Sequence, residues 1–399
     1  MKIVVIGQGY VGQTVALYAA QNYNVVGYDL NTSLVEELNS GITHIEGLDT
    51  TLLSSGLASG SYHATNKSDE INGADVIVIA VPTPLTVERE PDLSFIMSAC
   101  EIIGENLHND ALIINESTSY PGTVRNIIKP AIEKLAPNRK HLYAVSPERV
   151  DPGRADWNQT NTPRLFAGLT MEATDRTREF YSSFAKKLVE VSKPEVAEAA
   201  KLFENTYRQV NIALVNEFAQ IAHAMNIPVR EVLDAAETKP YGFTKFTPGA
   251  GVGGHCIPVD PSYLAKAAEE HGVKARFIEL SNEVNQQMGH YIVDRVKKDN
   301  GNSLLGRKVQ LIGIAYKSNV SDVRETPAEE IIRELLLEGA LVSWHDPLVP
   351  NWKGEISKPL GSEIAIVITK HDDINVEEIK KSAQYVFDTS GKIFGATQL

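Results

Sequence analysis

The chain has 399 residues, of which 43% are hydrophobic and 22% are charged, and its formal net charge at neutral pH is −13. This composition is typical of a folded globular protein, and the length predicts two or three domains. The acidic balance argues against a surface that coats nucleic acid, although a local cluster of Lys and Arg could still hold an anionic small molecule. The two cysteines lie far apart and no apolar run approaches about 18 residues, so we expect a cytoplasmic protein with no membrane span.

The chain opens with the pattern strand, glycine turn, helix, strand, acid, which predicts a dinucleotide site. The first glycine makes the tight turn, the second lets the backbone approach a pyrophosphate, and the third lets the helix pack closely on the strand. The acid after the second strand would accept hydrogen bonds from the adenosine ribose hydroxyls and repel a 2′-phosphate, so NAD is predicted over NADP. The residues assigned to NAD in this unit are Gly7, Gly9, Tyr10, Val11, Gly12 and Asp29.

Three further apolar runs predict parallel strands of the same sheet: residues 74–81, 111–115 and 141–145. Ligands of open α/β sheets lie beyond the carboxyl ends of the strands, where a polar loop follows each of these runs. Pro82 and Thr83 follow the first run and are assigned to the cofactor. Thr118 follows the second run, and it either faces the cofactor or caps a helix predicted at residues 124–135.

A rigid polar loop at residues 146–154 follows the third of these runs. It contains two acids, two arginines and two prolines, with Glu148 and Arg149 near its start. Two interpretations stay open. The loop either holds a substrate or lines a domain edge with exposed ion pairs.

A long helix is predicted after Pro194, because about thirty residues pass without proline or glycine and apolar residues recur at steps of three and four. At 1.5 Å per residue it would be on the order of 45 Å long. A helix with this much apolar surface often pairs with a copy of itself, so we expect a homodimer. Lys201 and Asn205 are four residues apart and therefore share a face of this helix.

A glycine-rich loop at residues 249–261 carries Cys256 to the start of another predicted helix, with Asp260 as its N-cap and Pro261 in its first turn. The positive end of the helix dipole favours a thiolate over the free-cysteine pKa of about 8.5, which makes Cys256 a candidate nucleophile. The alternative is that Cys256 is a small buried apolar residue and Asp260 only a cap.

The last hundred residues repeat the α/β alternation without a second glycine fingerprint, so a second dinucleotide is not predicted. Lys317, Asp322 and Arg324 follow the first strand of this part. Their charges predict either a nucleotide diphosphate site or surface ion pairs.

Six motifs occur in order along the chain. They are the glycine turn with Asp29, STSYPG at 117–122, SPER at 146–149, KLFEN at 201–205, GGHCIPVD at 253–260, and AYK at 315–317 with Asp322 and Arg324. Together they closely resemble the UDP-glucose/GDP-mannose dehydrogenase family over essentially the whole chain. The resemblance implies two Rossmann-like doubly wound domains joined by a long central helix: an NAD domain at 1–194, a helical dimerisation domain with the cysteine loop at 195–299, and a UDP-sugar domain at 300–399.

The resemblance also implies a four-electron oxidation of a sugar C6 alcohol, with two NAD and no metal. Cys256 would form a thiohemiacetal and then a thioester, Lys201 and Asn205 would stabilise the oxyanion, Asp260 would handle protons, and Thr118 and Glu148 would position or activate water. The substrate contacts implied by the family are Glu148, Arg149, Lys201, Asn205, Gly253, Lys317 and Arg324.

Within this family the chain departs from the UDP-glucose branch, because Val259 stands where a Lys is usual before the loop aspartate, and Ser321 stands where an Asp is common. Several phrases look like enzymes of surface-polysaccharide pathways that act on UDP-N-acetylglucosamine. We therefore expect that substrate first, then UDP-N-acetylmannosamine, then UDP-glucose. The rival hypotheses are a two-electron hydroxyacid dehydrogenase and a non-catalytic nucleotide-binding relative.

Overall fold

The computed structural model describes residues 1–45, 48–150 and 156–399, so residues 151–154 of the predicted polar loop lie outside the described part. The chain divides into two compact units, Met1–Glu204 with Ser262–His271 and Asn205–Pro261 with Gly272–Leu399. Each unit contains a predominantly parallel sheet with helices, which confirms the predicted α/β class with two Rossmann-like sheets. Across the described ranges, we find no helix both long enough and apolar enough to cross a bilayer.

The strands of the first unit are β1 Lys2–Ile6, β2 Asn24–Tyr28, β3 Tyr62–Thr65, β4 Val76–Ile79, β5 Leu112–Asn115, β6 Leu142–Val145, β7 Arg164–Gly168 and β8 Leu188–Glu190. They form one sheet in the order β3-β2-β1-β4-β5-β6-β7-β8. Among the described strands of this sheet, only β6 and β7 pair in antiparallel fashion. The order reverses between β1 and β4, which is the switch point where doubly wound sheets bind dinucleotides.

The helices of this unit are α1 Tyr10–Ala19, α2 Thr32–Asn39, α3 Thr50–Ser59, α4 Ser94–Asn106, α5 Lys129–Leu135 and α6 Met171–Ser182, with a 3₁₀ turn at Ser68–Ile71 and a π turn at Val124–Ile128 that runs into α5. Because successive side chains of a strand point to opposite faces, β1 supplies two cores. Ile3 and Val5 enter one core, and Val4 and Ile6 enter the other.

The helices of the middle of the chain are α7 Pro194–Ala224, α8 Val229–Glu237, α9 Asp260–Glu270 and α10 Arg276–Asp299. The predicted long helix is confirmed over 31 residues. Its predicted apolar face is only partly buried. Leu202 and Ala213 are buried, whereas Phe203, Leu214 and Ile221 are 65%, 61% and 48% exposed.

The elements of the C-terminal part are β9 Lys308–Ile312, α11 Pro327–Leu337, β10 Leu341–His345, β11 Asn351–Trp352, β12 Glu355–Ile356, β13 Ile364–Val367, α12 Val376–Ser382, β14 Tyr385–Asp388 and β15 Thr397–Gln398. Five strands form a parallel sheet in the order β10-β9-β13-β14-β15, which reverses between β9 and β13. Met288, Ile292 and Val296 of α10 lie in the core of this sheet. The three-part division at 1–194, 195–299 and 300–399 stays a prediction.

The segment from β7 to β8 has no counterpart in the sequence prediction. α6 is largely polar, so its apolar periodicity is weak, and β7 begins with the charged Arg164. Packing decides this segment, since Phe180 and Tyr181 are completely buried against the sheet.

Candidate functional site

The turn between β1 and α1 has no room for a side chain at two of its glycines. Gly7 has φ +89°, and a Cβ there would lie 2.5 Å from the Ala80 carbonyl oxygen; a Cβ on Gly12 would lie 1.8 Å from the Gly7 oxygen. At Gly9 an added Cβ would meet no atom within 4 Å in the part of the chain that the structure describes. The open space lies where α1 begins with Tyr10 and Val11, at the positive end of the helix dipole. A diphosphate of a dinucleotide fits this space.

Asp29 follows β2 and is held by backbone groups. Its two carboxylate oxygens accept N–H groups from Gln8 at 2.8 Å and Asn31 at 2.9 Å. The carboxylate stays half-exposed, so each oxygen keeps a lone pair for a ribose hydroxyl. The Gln8 side chain is buried beneath the turn, where it donates to the Val5 carbonyl and accepts from the Tyr62 hydroxyl.

The loops after β4 and β5 lie side by side, because these two strands are paired. The Val81 N–H donates to the Ser117 hydroxyl at 2.9 Å, which ties the loops together. Thr83 is buried, Thr118 is half-buried and Pro82 is exposed at this edge of the sheet.

The alternative role of Thr118 as a helix cap is wrong. The helical segment starts after Thr123, and Glu198 of α7 accepts the first N–H group of the segment and one from the turn before it. The Glu198 carboxylate accepts from Gly122 N–H at 2.6 Å and from Val124 N–H at 3.1 Å. Burial raises the pKa of Glu198 to about 7, although both N–H groups act in the opposite direction.

Glu148 lies in a buried cluster after β6. One of its oxygens accepts the N–H groups of Arg149 at 2.6 Å and Val150 at 2.5 Å. The other accepts from Gln159 and, at 3.0 Å, from the Arg164 guanidinium. Burial alone would raise the pKa of Glu148, but Arg164, these hydrogen bonds and the nearby Lys201 together lower it. The carboxylate is therefore an anion with four donors.

Arg149 is engaged within the same unit. Its guanidinium forms two hydrogen bonds with Glu204 of α7, at 2.5 and 3.1 Å, and a third with the Pro163 carbonyl at 2.8 Å. Lys201, three residues before Glu204, is half-buried. Arg149 thus forms an ion pair, as one of the two interpretations of the polar loop expects.

The cysteine loop belongs to the second unit, and its helical turn starts earlier than the sequence indicates. The Cys256 carbonyl accepts N–H groups from Val259 at 3.2 Å and Asp260 at 2.9 Å, so Asp260 lies inside the helix and is not its N-cap. Cys256 is exposed, which contradicts the alternative of a buried apolar cysteine. A Cβ on Gly253 or Gly254 would approach Tyr316 to 2.7 Å, so this turn requires both glycines.

Asp260 is buried and accepts a hydrogen bond from the Asn205 amide at 2.5 Å, which joins α9 to α7 across 55 positions of sequence. A second amide pair lies further along α7. Asn216 donates to Asn285 of α10 at 3.0 Å and accepts the Gly249 N–H at 2.9 Å. These contacts fix the two ends of the cysteine loop to the same helix.

Lys317 and Arg324 lie in the segment between β9 and α11, at the switch point of the second sheet. The Arg324 guanidinium forms a fork with Asp322, at 2.6 and 3.0 Å, and the Arg324 carbonyl accepts the Gly254 N–H at 2.9 Å. The hydrogen bond with Asp322 raises the pKa of Arg324, and the Cys256 thiol adds to this shift. The segment thus places the Arg324–Asp322 ion pair beside the cysteine loop.

Sequence reasoning missed Glu116, Gln159, Arg164 and Tyr181, which surround Glu148 in the first unit. A charged residue at the head of an otherwise apolar strand, as in β7, was the available signal. The antiparallel turn from β6 into β7 was not predicted, and only that turn brings Arg164 beside Glu148.

Comparison with known proteins finds matches along most of the chain. Three domains of the UDP-glucose/GDP-mannose dehydrogenase family match: the NAD binding domain over residues 1–185, the central domain over 195–287 and the UDP binding domain over 310–394. The UDP-N-acetyl-D-mannosamine dehydrogenase of Methanocaldococcus jannaschii is 34% identical, over 96% of this chain and 90% of its own. The UDP-N-acetyl-D-glucosamine 6-dehydrogenase of Pseudomonas aeruginosa is 34% identical, over 88% and 83%.

Among solved structures, the UDP-D-ManNAc dehydrogenase of Pyrococcus horikoshii superposes with a TM-score of 0.90 at 30% identity and covers 100% of this chain and 98% of its own. The matches span the nucleotide turn, the long helix with the cysteine loop, and the second sheet. The chain therefore belongs to the UDP-glucose/GDP-mannose dehydrogenase family, and it is an NAD-dependent oxidoreductase of that family.

Proposed function

We propose that this protein oxidises the C6 hydroxyl of a UDP-N-acetylhexosamine to a carboxylate and consumes two NAD per sugar. The observation that carries the proposal is the exposed Cys256 thiol in the turn that leads into α9, in a chain of a family with an NAD domain and a UDP domain. A two-electron oxidation would need no thiol.

NAD, when bound, would supply an acceptor for a hydride, that is, for one proton together with two electrons. The first transfer, with loss of the hydroxyl proton, turns the alcohol into an aldehyde. An aldehyde does not release a second hydride readily, so the Cys256 thiolate adds to its carbonyl carbon and forms a thiohemiacetal. Loss of hydride and proton from this adduct gives a thioester, and water then breaks the C–S bond to release the carboxylate and the thiol.

The surrounding residues receive the following proposed roles. Lys201 and Asn205, one turn apart on α7, stabilise the oxyanion at C6. Asp260, which accepts the Asn205 hydrogen bond, moves protons through water. Thr118 and Glu148 position that water, and the four donors on the Glu148 carboxylate support an orienting role over proton uptake.

The two nucleotides have separate proposed sites. NAD binds at the glycine turn and Asp29, with Pro82, Thr83 and Thr118 at the adjoining strand ends. The UDP moiety binds near Lys317 and Arg324, because an anionic diphosphate suits a lysine and an arginine at the switch point of a sheet. Gly253 provides close backbone approach.

The sugar is proposed to carry an acetamido group. The sequence phrases favour UDP-N-acetylglucosamine. The relatives named as UDP-N-acetyl-D-mannosamine dehydrogenases, including one matched over 96% of this chain, support the manno epimer as the second candidate. Val259, buried in the loop where the UDP-glucose branch carries a Lys, argues against glucose.

A panel of UDP-sugars scored for NADH yield tests this proposal. We expect two NADH per sugar and a uronic acid from an acetamido sugar, with little turnover of UDP-glucose. One NADH per molecule, or turnover of hydroxyacids, would favour a two-electron dehydrogenase. Binding of UDP-sugars without NADH formation would favour a non-catalytic relative.

The Cys256→Ser variant is expected to lose acid formation by at least about 10³-fold, because a neutral serine hydroxyl is a much poorer nucleophile than a thiolate and no thioester can form. Cys100→Ala is the matched control, since Cys100 is the other thiol and is buried in the core of the first unit. Equal turnover of the two variants would refute the thioester route.

A homodimer is proposed through the exposed apolar stripe of α7, formed by Phe203, Leu214 and Ile221. Their spacings of 11 and 7 residues keep them on one side of the helix, as in helices that pair with a copy of themselves. Sedimentation should show a dimer for the parent chain and a monomer for Leu214→Glu. Leu337→Glu, at a similarly exposed leucine of α11, should remain dimeric.

A further inference from the structure

Arg164 lies between two buried carboxylates of the first unit. Its guanidinium contacts Glu116 at 3.0 Å through one terminal nitrogen and Glu148 at 3.0 Å through the other. All three side chains are less than a tenth exposed. The arrangement follows from topology, because β7 runs antiparallel to β6 and its first residue returns beside the loop that follows β6.

The two carboxylates differ in their hydrogen bonds. Both oxygens of Glu148 have donors, whereas Glu116 receives the Tyr181 hydroxyl and Arg164 on one oxygen only. Its other oxygen is buried and has no hydrogen-bond partner among the described residues. An ionised carboxylate would leave that lone oxygen unsolvated, while a protonated carboxyl needs no donor there.

The charges facing this cluster come from several elements. Arg164 is on β7, Glu148 follows β6, Glu116 follows β5, Tyr181 is on α6 and Lys201 is on α7. Burial raises the pKa of Glu116 to about 7; Arg164 opposes this rise and Glu148 adds to it. The pKa of Glu148 is lowered. As the pH falls below about 7 the two carboxyls therefore take up one proton, and that proton is on Glu116.

We propose that Glu116 and Arg164 are positioning residues for Glu148: uncharged Glu116 leaves the positive charge of Arg164 to the Glu148 carboxylate and so holds that carboxylate in its working orientation. This inference rests on the proposed function, in which Glu148 orients water. When Glu116 ionises, its carboxylate competes for the Arg164 guanidinium, and the interaction between Arg164 and Glu148 becomes weaker.

The pH profile of kcat for NADH formation tests the proposal. In the parent enzyme we expect a fall in kcat as the pH rises through the pKa of Glu116, about 7. Glu116→Gln cannot ionise, so its profile should lack this fall while its thermal stability at about pH 6 stays near that of the parent. The matched control is Glu198→Gln, which removes another buried carboxyl of the same pKa outside the cluster and should keep the fall. A Glu116→Gln profile identical to that of the parent would overturn the proposal.

A second variant separates positioning from a purely structural role. Arg164→Lys keeps the charge but cannot reach both carboxylates, so kcat should drop roughly tenfold to a hundredfold with KM for the sugar nearly unchanged, because displacement of about 1 Å can cost on the order of 10²-fold. If Arg164→Lys lowers both kcat and the unfolding temperature but leaves the pH profile of kcat unchanged, the role of Arg164 is purely structural and the proposal is wrong.

A readout without turnover distinguishes this inference from the proposed function. In protein with ¹³C-labelled glutamate carboxyls, the signals of Glu116 and Glu198 should both titrate near pH 7. Only the first should vanish in Glu116→Gln, and the Glu148 signal should shift with it. If no UDP-sugar yields NADH, the proposed function fails while this titration still decides the charge coupling. A Glu116 signal that titrates only below about pH 5 would refute the coupling.

Discussion

The first sheet ends β1 in Gly7 and the second ends β9 in Gly313, and the two glycines have similar geometry. Their φ angles are +89° and +73°, and a Cβ on either would collide with the end of the adjacent strand, at Ala80 in one case and Thr369 in the other. An aspartate stands at the end of the next strand in both sheets. The two sheets thus share one supersecondary frame, and they differ in what the aspartate does.

Asp29 is half-exposed and accepts two backbone N–H groups, so a ribose can still bind it. Asp346 is buried and accepts N–H groups from Ile314, Ala315, Leu348 and Val349, as well as a hydrogen bond from His371. The second aspartate serves the fold of its own turn. A carboxylate satisfied in this way has nothing to offer a dinucleotide.

The helices after the two turns differ in the same sense. α1 starts directly behind the glycine turn, and among the described residues no side chain forms a cap hydrogen bond at its start. α11 starts only at Pro327, and its first turn is capped by the Thr326 hydroxyl, which also donates to the Ile314 carbonyl. The two turns thus share their backbone geometry, but of the two only the first adjoins a helix start and a half-exposed aspartate, which is the arrangement that suits a dinucleotide.

The strongest test of the comparison uses the colliding glycines. Gly12→Ala would place its Cβ 1.8 Å from the Gly7 oxygen, so we expect loss of NAD binding and a lower unfolding temperature. Calorimetric titration with UDP should remain unchanged. Gly313→Ala would place its Cβ 1.6 Å from the Thr369 oxygen, so it should weaken UDP binding and leave NAD binding unchanged. If Gly12→Ala retained its NAD affinity, the assignment of NAD to the first glycine turn would be wrong.

The two aspartates give the next largest effect. Asp29→Asn should weaken NAD binding roughly tenfold to a hundredfold, because a hydrogen bond to a charged group contributes about 1.5–3 kcal/mol. Asp346→Asn should leave NAD affinity as it is. Fluorescence titration with NAD measures both, and an equal loss in the two variants would contradict the assignment.

Gly9→Ala is a smaller and cleaner probe of the open space. Its φ of −70° suits alanine, and the added methyl meets no atom of the described residues within 4 Å, so stability should be unchanged. NAD affinity should nevertheless fall about tenfold, because the methyl occupies the approach of the pyrophosphate. Unchanged affinity would mean that the diphosphate lies elsewhere.

The smallest effects concern the pH dependence of stability, which should have opposite signs for one buried carboxyl of each unit, Glu198 and Asp346. The pKa of Glu198 is raised to about 7 by burial, so its contribution to stability is present below its unfolded pKa and is lost as pH rises through about 7. Glu198→Gln should gain stability relative to the parent between about pH 5 and about pH 8 in scanning calorimetry.

Burial would raise the pKa of Asp346, but the hydrogen bond and charge of His371 lower it overall. Its contribution to stability is therefore present above the unfolded pKa and is lost as pH falls through the folded pKa. The stability deficit of Asp346→Asn should be full at neutral pH and should shrink below about pH 4. A constant deficit would show that the charge of Asp346 does not matter.

Local sequence was sufficient for much of this molecule. Hydrophobic runs and glycine positions determine β1, the turn at Gly7 and the 31-residue α7, because these depend on side chains close in sequence. The same is true of the six motifs that indicate the family. Propensity and periodicity act over a few residues, and here they agree with the fold.

Tertiary structure decided the rest. Arg164 lies beside Glu148 because β7 runs antiparallel to β6. Asp260 is not the predicted helix cap and instead forms a hydrogen bond with Asn205. Asp346 accepts hydrogen bonds from the backbone of the turn that follows β9. Each of these depends on residues distant in sequence. A single sequence shows the charge of a side chain but not the partner that burial assigns to it, and for buried charges the partner determines the chemistry.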